Sequence, residues 1–234
     1  MAECLERLAL VDIKKTPALQ ELFLLKGHPG SSGFAAGFEK TPTQFRSICE
    51  AIERWAWSMW IDSKFFISEC AIDYNKLSSV DKFLTSVFDD FKSYEIDIPI
   101  SMKEIPYDYL TFKIFIGIKG DGVYPGSRIS SKIESNWSHP ITEAWRHFQI
   151  TNNLAYSIDE SSIISQRAKY YSKNKDLALA QIPLNHQTIS NWKSPSLILH
   201  QEYLNDSHKD YYVYRSICGD YTGWDLGGVD RFVY

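Results

Sequence analysis

The hydrophobic period of this chain switches between helix and strand along its length, and that switching limits its possible folds more than any other feature. From Phe45, apolar residues recur at helical spacing through Ile48, Cys49, Ile52, Trp55, Ala56 and Met59, which predicts a helix running to about Ile61. Val80, Phe83, Leu84, Val87, Phe88 and Phe91 repeat the pattern and predict a second helix over 79–91, with Asp81 in its first turn. The period then changes. YEIDIPI (94–100) alternates and YLTFKIFIGI (109–118) is β-branched and aromatic, so both predict strands. A third helix is expected over 138–154 with Pro140 near its start, and a polar helix over 158–179. Late strands are expected over 196–203 and 211–218. The order predicts an α/β or α+β fold with a hint of internal duplication.

Loops punctuate this pattern. Gly27, Gly30, Gly33 and Gly37 with Pro29 mark one loop, KGDGVYPGS (119–127) marks another, and the tail GDYTGWDLGGVDRFVY reads as irregular. Thr41 or Thr43, around Pro42, suits the start of the first long helix. At 234 residues and 27.0 kDa the chain is long enough for one compact domain with a buried core. Its expected parts are a short N-terminal helical segment over 1–29, broken at Pro17, a first motif half over 30–118 and a second over 119–234.

Several function classes are disfavoured. The net charge of −4 does not indicate a general nucleic-acid surface. Cys4, Cys49, Cys70 and Cys218 are scattered without a CxxC pair, which argues against a zinc site or a disulfide framework and for a reducing cytoplasm. MAECLERLAL lacks the apolar core of a signal peptide, and no apolar run reaches bilayer-spanning length, so no membrane association is expected. The six histidines show no ligand spacing, and neither a Walker A motif nor a GxSxG elbow occurs. The aromatics of WAWSMW and FF (55–66) are expected in the core.

Two helices carry candidate chemistry. Glu50 and Glu53 lie on neighbouring positions of one helical face, beside Arg54. Two such carboxylates repel unless a cation or donor lies between them. A magnesium ion shared with phosphates is one answer; an exposed polar stripe on an amphipathic helix is the other. The preceding GSSGFAAG is weak evidence for phosphate binding by itself and reads equally as a tight turn with positive φ at its glycines. On the later helix, Glu143, Arg146 and Gln149 share a face at three-residue steps, either as a site or as an intrahelical Glu–Arg pair.

Together these residues resemble a known family. SSGFAAG (Ser32, Gly33, Phe34, Ala35, Ala36, Gly37) followed by EAIER (Glu50, Ala51, Ile52, Glu53, Arg54) looks like the middle motif of the YcaO family, of the type [NS]-G-[LF]-A-A-G and then E-x-x-E-R. GVYPGSRISSKIESNWSHPITEAWRHFQ resembles the family's later motif, with Glu143 at its acid, and DYYVYRSICGDY resembles its late strand. The resemblance implies repeated helix-pair and β-strand units around a nucleotide cleft. It also implies ATP- and magnesium-dependent activation of a peptide backbone amide, by phosphorylation of the amide oxygen, leading to an azoline, thioamide or amidine. Glu50, Glu53 and Glu143 would then hold the metal, while Arg54, Arg146, Gln149 and Ser32 or Ser47 would contact phosphate.

The family's first glycine turn and E-x-x-E-R helix have no counterpart in these residues, and its expected glutamine falls at Arg146. A partner protein that delivers the peptide or completes the site is therefore expected, and self-association is compatible with the sequence. A second reading is a non-catalytic YcaO-like subunit that binds a peptide or a partner.

Overall fold

The computed structural model describes residues 33–62, 65–134, 136–152, 162–183, 192–203 and 211–233. The helical segment expected over 1–29, and Ser32, lie outside the described residues. In chain order the elements are β1 (Phe34–Gly37), α1 (Lys40–Ile61), β2 (Ser68–Glu69), α2 (Ser79–Ser86), β3 (Asp90–Pro99), β4 (Tyr109–Lys119), β5 (Gly122–Ser130), α3 (Ser138–Asn152), α4 (Ile163–Tyr171), α5 (Lys175–Ala180), β6 (Leu197–Tyr203) and β7 (Tyr212–Cys218). They form two units. One runs to Trp55 and resumes over Pro195–Asp225; the other comprises Ala56–Ser194 and Leu226–Tyr234.

In the first unit, β1, β7 and β6 make an antiparallel sheet in that order. The loop expected over 27–37 therefore ends in a strand: Phe34 pairs with Arg215 and Gly37 with Tyr212. FAAG has no alternation of its own, and its extended form comes from the ladder that β7 offers. The first part of α1 covers one face of this sheet, where Lys40, Gln44 and Ser47 meet Glu202, His200 and Ser216. The helix begins at Lys40, ahead of both expected starts, Thr41 and Thr43, and the Thr43 hydroxyl donates to the Glu39 carbonyl at 2.6 Å.

In the second unit, β2, β3, β4 and β5 form an antiparallel meander. Leu110 to Ile118 are all buried, as a central strand covered on both faces requires. On one face Trp57 packs edge-on to Phe112 and Trp60 packs on Tyr94. On the other, Phe88, Phe115 and Tyr124 form a core with Leu84 of α2 and Ile141 and Ala144 of α3. Of the aromatics of 55–66 expected in the core, Trp55, Trp57, Trp60 and Phe65 are buried and Phe66 is half-buried. The helix expected over 79–91 stops at Ser86, and β3 starts at Asp90. Phe88 and Phe91 fit either period; Phe91 stacks on Phe115 of β4 at 5.1 Å, so the sheet claims it. Asp81 does more than complement a dipole. Its carboxylate completes a capping box with Ser78 and accepts the Ser138 hydroxyl at 2.7 Å, joining the starts of α2 and α3.

The stretch expected as a loop over 119–127 is largely strand β5. Its proline and glycines have positional reasons. β5 is the sheet edge, so Pro125 withholds no ladder donor. A Cβ on Gly126 would lie 2.1 Å from the Pro140 carbonyl oxygen, so glycine lets α3 approach the strand. The polar helix expected over 158–179 is two helices, α4 and α5, separated at Ser172–Asn174; its first residues fall outside the described set. The tail is irregular as expected but firmly held. Phe232 is fully buried, its carbonyl accepts Trp57 Nε1–H at 3.0 Å, and Arg167 donates to the carbonyls of Gly228 and Leu226.

Candidate functional site

The glycine motif is built from the turn outward. Gly33 has φ 75°, and a Cβ there would lie 1.8 Å from the Ser216 carbonyl oxygen, so the position admits only glycine. Its carbonyl accepts the Ser216 N–H at 2.9 Å and the Ser47 hydroxyl at 2.8 Å. Ser47 Oγ also lies 2.7 Å from Ser216 Oγ, which lies 2.8 Å from His200 Nδ1. One ordering gives each of these bonds a proton: His200 Nδ1–H to Ser216, Ser216 to Ser47, Ser47 to Gly33. Gln44 Nε2 approaches the other ring nitrogen at 2.8 Å. Ser47, expected at phosphate, is fully buried and holds the turn through this chain. Tight-turn geometry with positive φ is what Gly33 shows; Gly37 instead leaves room for the Arg46 guanidinium, which donates to the Ala36 carbonyl at 3.2 Å.

Further along α1, Arg54 donates to Glu50 Oε1 from Nε at 3.1 Å and from Nη2 at 2.8 Å. The guanidinium lies 4.2 Å from the Trp224 ring, and Trp224 Nε1–H donates to the Arg54 carbonyl at 2.9 Å. Glu53 is only 7% exposed, so the acid pair is not an exposed polar stripe. Nearby, burial holds the Tyr221 hydroxyl far above its usual range; Cys218 and Asp225 add to this, and the charges of Arg54 and Arg215 oppose it. Arg215 is fully buried on β7, with its guanidinium over the Phe34 ring at 4.9 Å. Two arginines, a buried carboxylate and a tyrosine thus belong to one region of the first unit. Such a set can bind an anion and, through its carboxylate, the cation that accompanies it.

Glu143, Arg146 and Gln149 belong to the second unit. Glu143 Oε2 accepts the Ser127 N–H at 2.7 Å. One turn later, His147 Nδ1 meets the Pro125 carbonyl, which requires a proton on that nitrogen. The two side chains occupy backbone groups that the edge strand β5 would otherwise turn to solvent. Arg146 is exposed, Gln149 is partly buried, and among the described residues no Glu143–Arg146 ion pair forms. The intrahelical pair weighed from spacing is replaced by a helix-to-strand bond.

Magnesium carried by nucleotide phosphates asks for only one or two protein carboxylates. Among the described residues no three acids, histidines or cysteines gather as a cage for a metal. Sequence reasoning missed Arg215, Tyr221 and Trp224. The first lies within the late-strand segment YVYRSIC, which could have pointed to it; the other two sit in a tail with no periodic signal.

No protein-family model matches the chain, and no curated protein matches it. Solved structures do. A heterocyclase in complex with substrate and cofactor is similar with a TM-score of 0.53 and 10% identity, over 88% of this chain and 29% of that one. The E. coli microcin synthetase McbBCD complex is similar with a TM-score of 0.54 and 10% identity, over 89% of this chain and 58% of that one. The same complex with pro-MccB17 bound gives 0.53 and 11%, over 88% and 57%. The chain thus spans between 29% and 58% of the length of the chains it matches. At this identity the likeness is one of fold: mixed α/β with two antiparallel sheets, the fold of YcaO-type heterocyclases.

Proposed function

We propose that this chain takes part in ATP- and magnesium-dependent modification of a peptide backbone, with the amide oxygen of the peptide accepting the terminal phosphoryl group of ATP. That transfer releases ADP; a side-chain or external nucleophile then adds to the activated carbonyl carbon, and the former amide oxygen leaves as inorganic phosphate, giving an azoline, thioamide or amidine. The observation that carries the reading is the E-A-I-E-R stretch of α1 in a YcaO-like fold, with Glu53 buried and Arg54 held in place. Glu53 and Glu50, with Glu143, are assigned to the metal. Arg54, Arg146, Gln149 and Ser32 are assigned to phosphate, with Arg215 as a further guanidinium, and Ser47 supports the turn at Gly33. Magnesium, when bound, neutralises phosphate charge; these residues hold and orient the phosphates, which is most of what phosphoryl transfer asks of a protein.

A peptide is the proposed substrate, and a partner protein is proposed to deliver it or complete the site. The similarity of this chain to a complex with pro-MccB17 bound is in keeping with both. Among the described residues, no helix is long and apolar enough to cross a membrane.

Calorimetric titration with magnesium and a non-hydrolysable ATP analogue tests the reading. Saturable, magnesium-dependent binding supports it, and the same ligand should raise the melting temperature because it binds the folded state. A second reading, a non-catalytic subunit that binds peptide or partner, is favoured by one feature: Glu50 and Arg54 already satisfy each other, and Glu143 already serves Ser127. Absence of nucleotide binding by the chain and by its complex with a partner would select it.

A further inference from the structure

Trp224 grips Arg54 at both ends. Its ring lies 4.2 Å from the guanidinium carbon, and its Nε1–H reaches the Arg54 main-chain carbonyl at 2.9 Å. The loop that carries it leaves β7 on a defined path. Gly219 N–H donates to the Ser196 carbonyl at 2.9 Å, and Asp220 turns the chain at φ 63°, a region that aspartate tolerates. Tyr221, next along, is half-buried and close enough to Arg54 and Arg215 to feel both charges. The loop is therefore fixed before Trp224 reaches α1.

An arginine left to itself samples many rotamers, and a ligand must freeze them. Here Glu50 fixes one edge of the guanidinium and the indole fixes its face. We propose that Trp224 is a positioning residue for anion binding: it holds the Arg54 guanidinium plane ready for a phosphate group and makes the loop after β7 a working part of the nucleotide site. The proposal rests on the assignment of Arg54 to phosphate. Its consequence is specific, because the aromatic face matters more than the indole N–H: the stack restrains the charged fork, while the N–H holds only the main chain.

Two variants and two readouts test it. Trp224→Phe keeps an aromatic face and loses the N–H; Trp224→Leu loses both. In the ligand-free protein, the Arg54 Nε–H resonance should be protected from exchange in the wild type and in Trp224→Phe, and lost in Trp224→Leu. With magnesium and a non-hydrolysable ATP analogue, Trp224→Leu should bind about 2- to 30-fold more weakly, and Trp224→Phe should recover most of the loss. Equal protection of Arg54 in all three proteins, or equal loss of affinity in both variants, overturns the proposal. If the wild type binds no nucleotide, the functional reading fails, while the Arg54 resonance still decides what Trp224 does. Should Trp224→Leu not fold, 5-fluorotryptophan replaces it: the Trp224 fluorine signal, assigned by its absence in Trp224→Phe, must move when the analogue is added, and a static signal overturns the role.

Discussion

Ser47 and Ser216 share a hydrogen bond of 2.7 Å between their hydroxyls, and both are buried. One stands on α1 and the other on β7, yet both also bond the carbonyl of Gly33. A turn near the start of the described chain is thus held by a helix and by a strand far along the sequence. This makes the glycine motif a tertiary object, and its residues answer to partners that local sequence does not contain.

Gly33→Ala should destabilise the protein by at least ~2 kcal/mol, since it forces a side chain into positive φ and against the Ser216 backbone. Ser47→Ala should cost about 1–3 kcal/mol, because it removes the acceptor of the Ser216 O–H proton, whose oxygen keeps only His200, and leaves one lone pair of Gly33 unfilled in the interior. Chemical denaturation of the two variants measures both. A Gly33→Ala protein as stable as the wild type would show that the turn is not built this way.

The observed bond of Glu143 and the metal role proposed for it can be tested apart. Glu143→Gln keeps a carbonyl oxygen for the Ser127 N–H and removes the charge, so stability should hold while magnesium-dependent nucleotide affinity falls. Glu143→Ala leaves a partly buried N–H unpaired and should cost about 1–2 kcal/mol of stability. If both variants lose stability and neither changes nucleotide affinity, Glu143 serves the sheet edge alone.

What the sequence made legible follows from the reach of each interaction. α1 was visible because one long apolar stripe repeats over its 22 residues, and β4 because its β-branched and aromatic run is bounded by turn residues. β5 was hidden by Gly122, Pro125 and Gly126, residues that mean loop by composition but that an edge strand under a close helix can accept. The end of α2 was misplaced because Phe88 and Phe91 satisfy both periods, and only the stack on Phe115 decides. The acid pair and Arg54 were readable as a motif. The grip of Trp224 on Arg54 was not, because it spans 170 residues and leaves no local trace.

Alkaline pH should loosen the tail. Burial pushes the Tyr171 hydroxyl up to about 12, with a hydrogen bond from Gln181 opposing the shift, and the hydroxyl donates to the Asp230 carbonyl. A phenol with a raised folded pKa contributes stability that is complete below its ordinary value near 10 and is lost as pH climbs toward 12. Stability measured by denaturation should therefore fall across that window. Tyr171→Phe should be about 1 kcal/mol less stable at neutral pH and show a shallower alkaline decline. An unchanged alkaline slope in the variant would remove Tyr171 as its source.

Glu50 and Glu53 should respond unequally to loss of charge. Glu50 is already neutralised by two bonds from Arg54, so Glu50→Gln weakens that pair and frees the guanidinium, with two opposing effects on an anionic ligand. Glu53 is more deeply buried than its neighbour, and Glu53→Gln preserves its volume while removing the charge that a cation would need. The expected order is loss of magnesium-dependent binding in Glu53→Gln and a smaller change in Glu50→Gln, with melting temperatures close to the wild type in both. Titration of each variant with the ATP analogue, with and without magnesium, reads this directly. If Glu53→Gln binds as the wild type does in both titrations, the metal assignment moves off α1 and the acid is a structural partner within the first unit.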